Sequence, residues 1–240
     1  MEGMNIALVL SGGSGQRLGM EIPKQYLEVG GRKIISYSLK TLFFHEKIDA
    51  VQIVAEDVWQ KDILEEMKRF QAPMEKWKGF SKPGRTRQQS IQNGLRDIKK
   101  FASGDSFVMV HDAARPLLSP ALISKCFEAM TGYDGVMPVL PVKDTMYLKS
   151  EDGSRIEQLL NRDRLVAGQA PEVFVLAQYD RANQKLSPEE LDRIKGSTEP
   201  AIRAGMNIAM VEGEEINFKI TTIEDLERFR SIINESICFT

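Results

Sequence analysis

The residues most suited to chemistry lie directly after the first apolar run. Ser11, Gly12, Gly13, Ser14 and Gly15 follow residues 5–10, and Arg17 and Lys24 come soon after. Glycines allow positive φ and let backbone N–H groups approach an anion closely. Two familiar phosphate motifs fail here. After Gly13 and Gly15, the dinucleotide fingerprint needs a third glycine where Leu18 stands, and a Walker A loop needs Gly-Lys-Ser/Thr. Two cations beside a glycine loop suit a triphosphate better than a neutral ligand. The plain alternative is a tight turn with solvated charges.

A second group is acidic. The apolar run 106–110 leads into His111-Asp112-Ala113-Ala114-Arg115-Pro116. An Asp just past a buried strand can hold magnesium, which takes one or two carboxylates and completes its shell with phosphate oxygens and water. Arg115 could hold a phosphate, or pair with Asp112 at a turn. His111 has no evident partner for base catalysis and reads as a packed or hydrogen-bonded histidine. Lys82, Arg85 and Arg87 surround Gly84 at a turn that enters a helix and ends near Ser90. That turn suits phosphate, a nucleotide base or solvent equally. Lys219 reads as a surface residue of a late strand over 217–220.

The elements that would carry these residues alternate. The pattern predicts strands at 5–10, 51–55 and 106–110, and helices at 33–44, 62–70, 88–98 and 120–130. Ser119 is the expected N-cap of the last, with Pro120 at its first position. This βαβα rhythm argues for a mostly parallel sheet with helices on both faces. It breaks after Val139. Residues 143–149 and 154–160 flank Asp152-Gly153, a hairpin signal, and predict a β-arm at about 142–168. A helix over 223–233 closes the chain, capped by Thr222 with Glu224 and Asp225 in its first turn. One domain, residues 1–240, with a protruding arm is the expected organisation.

Bulk properties narrow the classes. Hydrophobic residues make up 42% and charged residues 28% of 240, so a folded protein with a sizeable core is expected. The net charge of −2 provides no global basic field, which argues against bulk nucleic-acid binding. Cys126 and Cys238 have no metal-ligand spacing and read as reduced thiols of a cytoplasmic protein. The opening apolar run lacks a basic region before it and a cleavage site after it, so it reads as a strand, not a signal peptide. No apolar run approaches the ~20 residues of a membrane span.

Taken together, these motifs resemble the 2-C-methyl-D-erythritol 4-phosphate cytidylyltransferases of isoprenoid synthesis and the related ribitol-5-phosphate cytidylyltransferases. The resemblance rests on the glycine loop with Arg17, Pro23-Lys24-Gln25-Tyr26, Arg87 with Ser90, residues 111–116, Asp144-Thr145, Arg162, and Asn217-Phe218-Lys219-Ile220-Thr221. It implies a Rossmann-like nucleotidyltransferase fold. CMP passes from CTP to a sugar-alcohol phosphate with release of pyrophosphate, aided by magnesium. It further implies that Ser11, Gly12, Gly13 and Gly15 wrap the nucleotide and that Gly84, Arg85 and Ser90 line the base pocket. Arg17, Lys24 and Lys219 act on the reacting phosphates, and Asp112 binds the metal. Arg115, Thr145, Arg162, Lys219 and Thr221 surround the acceptor, with Thr145 and Arg162 crossing on the arm to the second subunit of a homodimer. An attacking phosphate monoester, with its second pKa about 6, is already largely dianionic at neutral pH and needs no general base. Bringing two anions together is the task, and cations with magnesium perform it.

The chain departs from the family pattern in three places. Ala170-Pro171-Glu172 replaces Thr-Pro-Gln, Ser197-Thr198-Glu199 replaces Thr-Asp-Glu or Thr-Asp-Ala, and Arg85-Thr86 stands where the isoprenoid enzymes commonly carry an acid. Methylerythritol phosphate is the leading acceptor and ribitol 5-phosphate or a similar polyol phosphate the alternative. A third reading is an inactive nucleotide-binding regulator. Intact Arg17, Lys24, Asp112 and Lys219 argue against it.

Overall fold

A computed structural model describes residues 3–13 and 22–238 of the chain. In chain order the strands are β1 (Asn5–Leu10), β2 (Glu28–Val29), β3 (Arg32–Lys33), β4 (Ala50–Val54), β5 (Trp77–Ser81), β6 (Phe107–Asp112), β7 (Gly135–Pro141), β8 (Tyr147–Lys149), β9 (Ile156–Leu159), β10 (Val166–Gly168), β11 (Glu172–Val175) and β12 (Ile208–Glu212). The helices are α1 (Ile34–Phe44), α2 (Asp57–Arg69), α3 (Arg87–Ile98), α4 (Pro120–Glu128), α5 (Leu176–Gln184), α6 (Pro188–Arg193), α7 (Glu199–Arg203) and α8 (Ile223–Cys238).

The main sheet runs β5-β4-β1-β6-β11-β7-β12. All but β11 share one direction, and β11 runs antiparallel between β6 and β7. Strand β10 joins antiparallel to β7 on the β11 side, because β12 already pairs with Val139 from the other edge. The expected mixed, mostly parallel sheet is therefore present.

Alternation along the strands divides the core into two layers. Ala7 and Val9 of β1 join Met109, Val51 and Ile53 against α1, α2 and α4. Ile6 and Leu8 face the other way, with Val108, Val110 and Phe174, against α3, α5 and α7. Period-2 side chains buried on both faces explain why β1 reads as a continuous apolar run. A third cluster joins α8 to the outer side of α1 through Ile34, Leu226 and Phe229.

Several expected elements hold and some need correction. Ser119 caps α4 by accepting a hydrogen bond from the Leu122 N–H at 3.0 Å. Thr222 Oγ1 accepts from the Asp225 N–H at the start of α8. Helix α2 begins at Asp57, earlier than 62, because its first turn is largely exposed and does not mark the core stripe. The arm is a separate antiparallel pair, β8 with β9, and every residue of both strands is exposed. The expected strand at 217–220 is absent. That segment is an irregular stretch held by local bonds, with Ile220 N–H donating to the Ala114 carbonyl at 2.9 Å and Asn217 Nδ2 to the Ala170 carbonyl at 2.8 Å. Among the described residues no helix is long and apolar enough to cross a membrane.

Candidate active site

The carboxyl ends of β1 and β6 lie side by side, with Leu10 in register with Asp112. The chain leaves β1 into the glycine loop and leaves β6 toward Arg115. In open α/β sheets this edge is where ligands bind. A cavity of about 470 Å³ opens there, walled by Gly12, Gly13, Lys24, Gly84, Arg87 and Lys219, with Asp112 among them. Arg85 and Ser90 complete the wall on the helix side.

Asp112 is the electrostatic centre. It is almost fully buried, and Arg87 donates to its Oδ1 through Nε at 3.1 Å and Nη2 at 2.9 Å. Lys219 donates to Oδ2 at 2.8 Å. Burial alone would raise the carboxyl pKa, but Arg87 and then Lys219 outweigh it and hold the group well below the usual carboxylate range. The group therefore stays ionised near neutral pH. Burial pushes the Arg87 pKa down, while Asp112 and then Glu172 more than restore it, so Arg87 stays charged.

Two glycines owe their identity to close approach. A Cβ on Gly12 would stand 2.4 Å from Pro83 Cβ, and one on Gly84 would stand 2.2 Å from Gln89 Cβ. The glycine loop thus packs directly on the 82–86 turn. That turn is tied into α3: Thr86 caps the helix by accepting from Gln89 N–H, Gly84 N–H donates to Ser90 Oγ at 3.0 Å, and Arg85 N–H donates to Gln89 Oε1. The positive end of α3 and the Arg87 side chain face the same cavity.

The candidate residues separate clearly. Gly12, Gly13, Lys24, Gly84, Arg85, Ser90, Asp112 and Lys219 come together. Gly15 and Arg17 lie outside the described residues. Ser11 is buried and turns its hydroxyl onto the Tyr26 hydroxyl at 2.7 Å, behind the cavity wall. Arg115 donates from Nη1 to the Asn217 carbonyl at 2.6 Å and does not pair with Asp112. Thr221 Oγ1 donates to Asp225 at 2.7 Å. Thr145 is exposed on the arm, and Arg162 donates to the Lys143 carbonyl beside a separate hollow of about 320 Å³. Neither reaches the cavity of its own chain.

Neither the pattern nor the resemblance assigned Arg87 an individual role; the pattern alone placed Lys219 on the surface, while the family resemblance placed it at the reacting phosphates. Both are the cations of Asp112. His111 is fully buried, and its Nε2 lies 3.1 Å from the Arg115 carbonyl. A carbonyl only accepts, so Nε2 carries the proton. Burial lowers the His111 pKa to about 4 and keeps the ring neutral. The residues that depart from the family pattern at 170–172 and 197–198 are not on the cavity wall. Ala170, Glu172, Ser197 and Thr198 are buried, Ser197 Oγ donates to Glu172 Oε1, and Thr198 Oγ1 rests on Met137 sulfur. Burial raises the Glu172 pKa against the pull of Arg87.

A mostly parallel α/β sheet, with a glycine loop and a cation-flanked carboxylate at its carboxyl edge, is the nucleotidyltransferase fold. The family described as IspD, 2-C-methyl-D-erythritol 4-phosphate cytidylyltransferase, matches residues 5–235, and the chain belongs to that family. The 2-C-methyl-D-erythritol 4-phosphate cytidylyltransferase of Thermotoga neapolitana is 37% identical over 97% of this chain and 98% of its own. The protein of that name from Rubrobacter xylanophilus is 33% identical over 95% of this chain and 94% of its own. In fold, the chain is similar to the crystal structure of 4-diphosphocytidyl-2C-methyl-D-erythritol synthase from Anaerococcus prevotii. That likeness has a TM-score of 0.79 at 22% identity, over 97% of this chain and 96% of the other.

Proposed function

We propose that the chain transfers CMP from CTP to 2-C-methyl-D-erythritol 4-phosphate, releasing pyrophosphate, in isoprenoid precursor synthesis. The observation that carries this reading is Asp112 held between Arg87 and Lys219, facing a glycine loop across one cavity. Gly12, Gly13 and Lys24 bind the triphosphate, with Gly15 and Arg17 of the same loop. Gly84, Arg85 and Ser90 receive the base. Lys219 and Lys24, with Arg17, offset the charge that builds on the α-phosphate as the acceptor phosphate attacks it. Such preorganised cations act where charge develops, and no proton has to be removed. Neutral His111 is not a base in this scheme.

Magnesium fits the donor set in one particular way. Among the described residues, no three acidic, histidine or cysteine side chains gather to cage a metal. Asp112 is held ionised, and its Oδ2 accepts one bond from Lys219 and keeps a second lone pair. A single carboxylate plus substrate phosphate oxygens is an ordinary magnesium set. The metal would supply charge neutralisation between the phosphates.

The acceptor side is shared in this reading. The chain forms one domain whose arm, expected at about 142–168 but ending before β10, which joins the main sheet, crosses to a second copy and brings Thr145 and Arg162 to the partner's cavity, beside Arg115 and Thr221. The exposed apolar residues Tyr147, Leu148, Ile156 and Leu159 on the arm support a dimer contact. Reduced, buried Cys126 suits a cytoplasmic protein. The altered positions 170, 172, 197 and 198 are buried away from the cavity, so they do not argue for a different acceptor. The test is product identification by mass after incubation with CTP, magnesium and either methylerythritol phosphate or ribitol 5-phosphate. The cytidylyl product of methylerythritol phosphate is expected. Exclusive use of ribitol 5-phosphate would replace the acceptor, and no turnover with either would overturn the reading.

A further inference from the structure

Gln25 stands next to Lys24 but does something different. It is buried, and its side-chain Nε2 donates to the Ser11 carbonyl at 2.7 Å and to the Gly13 carbonyl at 2.8 Å. A side-chain amide has two N–H donors, and both are used. The two acceptors flank Gly12 on the cavity wall. In a trans peptide the N–H points opposite to the carbonyl. Pulling the Ser11 carbonyl onto Gln25 therefore turns the Gly12 N–H away from Gln25.

The base of this clamp is rigid. Gln25 sits in the 3-10 turn Lys24–Tyr26, closed by Tyr26 N–H to the Pro23 carbonyl and Leu27 N–H to the Lys24 carbonyl. Tyr26 is buried, stacks on Trp59 at 4.3 Å between ring centroids, and donates its hydroxyl to the Ser11 carbonyl at 3.0 Å. One short turn thus carries Lys24 and also ties the loop opposite it. Gly12 in turn abuts Pro83, so the loop is braced from two sides.

We propose that Gln25 is a positioning residue for cytidylyl transfer, locking the glycine loop and Lys24 into one preorganised anion-binding unit. The proposal rests on the function stated above and concerns the CTP side of that site. An anion site of backbone N–H groups works without reorganisation only if its peptides are already aimed. The two bonds from Gln25 supply that aim, and Lys24 moves with them.

The test uses the full chain with Gln25→Met, which keeps length but has no donor, and Gln25→Glu, which sets an acceptor against two carbonyls. CTP affinity is measured by calorimetry, and turnover, acceptor KM and Tm are measured beside it. In both variants CTP affinity and kcat are expected to fall by about tenfold or more, Glu worse than Met, with the acceptor KM within about twofold. Unchanged CTP affinity and kcat in folded Gln25→Met would overturn the proposal. So would a Tm loss accompanied by equal weakening of both substrates, since that marks a purely structural residue. If Gln25→Glu does not fold, Gln25→Met alone decides; if neither folds, Gln25 is a folding residue and the proposal fails. Wild-type protein that binds CTP but does not turn over would sink the functional reading instead, and CTP affinity would still judge Gln25.

Discussion

The cavity at the strand ends and the hollow at the base of the arm are built by opposite means. Around the cavity, charged and polar groups are buried or half-buried and cross-tied: Asp112 to Arg87 and Lys219, Gln25 to the loop, Ser90 to Gly84. At the arm, Arg162 leans on the Lys143 carbonyl of its own exposed segment, and Ile156 and Leu159 are 66% and 62% exposed. Buried polar networks fix one geometry; exposed apolar strands leave it to something else to cover them. In the proposed reading, the described nucleotide-side residues meet in one chain's cavity, whereas Thr145 and Arg162 do not reach it.

The sharpest break in this contrast comes from Asp112. Asp112→Asn removes the charge that holds Arg87 and Lys219 and should lower turnover by ~10³-fold, the upper scale for one preorganised electrostatic partner, with the fold retained. Steady-state kinetics with circular dichroism checks it. Near wild-type turnover would mean that the cavity's centre is elsewhere. Next is Lys219→Ala, expected to lower kcat by ~10²-fold with a smaller change in the KM for CTP. A change confined to KM would make Lys219 a ground-state binder only.

The arm side is tested by mixing. Lys219→Ala and Arg162→Ala subunits should each be inactive. After exchange, half of the dimers are mixed, and one site in each receives both intact residues. About a quarter of the wild-type sites should return. No recovery after verified exchange would place the whole site in one chain.

The smallest expected effect is on pH. His111 has a folded pKa of about 4, below its ordinary value, so the unfolded chain binds more protons between about 6.5 and 4. Stability should fall through that window on acidification, by about 3 kcal/mol from this group at its lower end. His111→Asn should flatten the dependence of Tm over that range. An unchanged slope would mean that the ring is not held neutral by burial.

How much of this was legible depended on whether a residue acts through local pattern or through long-range contact. Strand β1 and Asp112 were readable because an apolar run ends in a carboxylate, and Ser119-Pro120 signalled α4 through its own cap. Lys219 was readable only through the family resemblance, not from its local pattern. Its alternation with Phe218 and Ile220 resembles a strand, but the segment is pinned irregularly by Ala114 and Ala170, far away in sequence. Arg87 was hidden for a similar reason, since its partner is 25 residues away on another element. Strand β12 lacks a clean alternation because it is an edge strand, half-exposed along its length. In α5, the buried face is Leu176, Tyr179, Ala182 and Asn183, and the small Ala182 and polar Asn183 weaken the apolar stripe that would have announced a helix.

In the proposed function the strand-end cavity receives CTP, and a crystal structure of the protein soaked with CTP and magnesium tests this most directly. A triphosphate is expected between Gly12–Gly13 and Lys24, with cytosine against Gly84 and Ser90 and the α-phosphate within reach of Lys219 and Asp112. Nucleotide density in the hollow beside Arg162, with the strand-end cavity left empty, would contradict it.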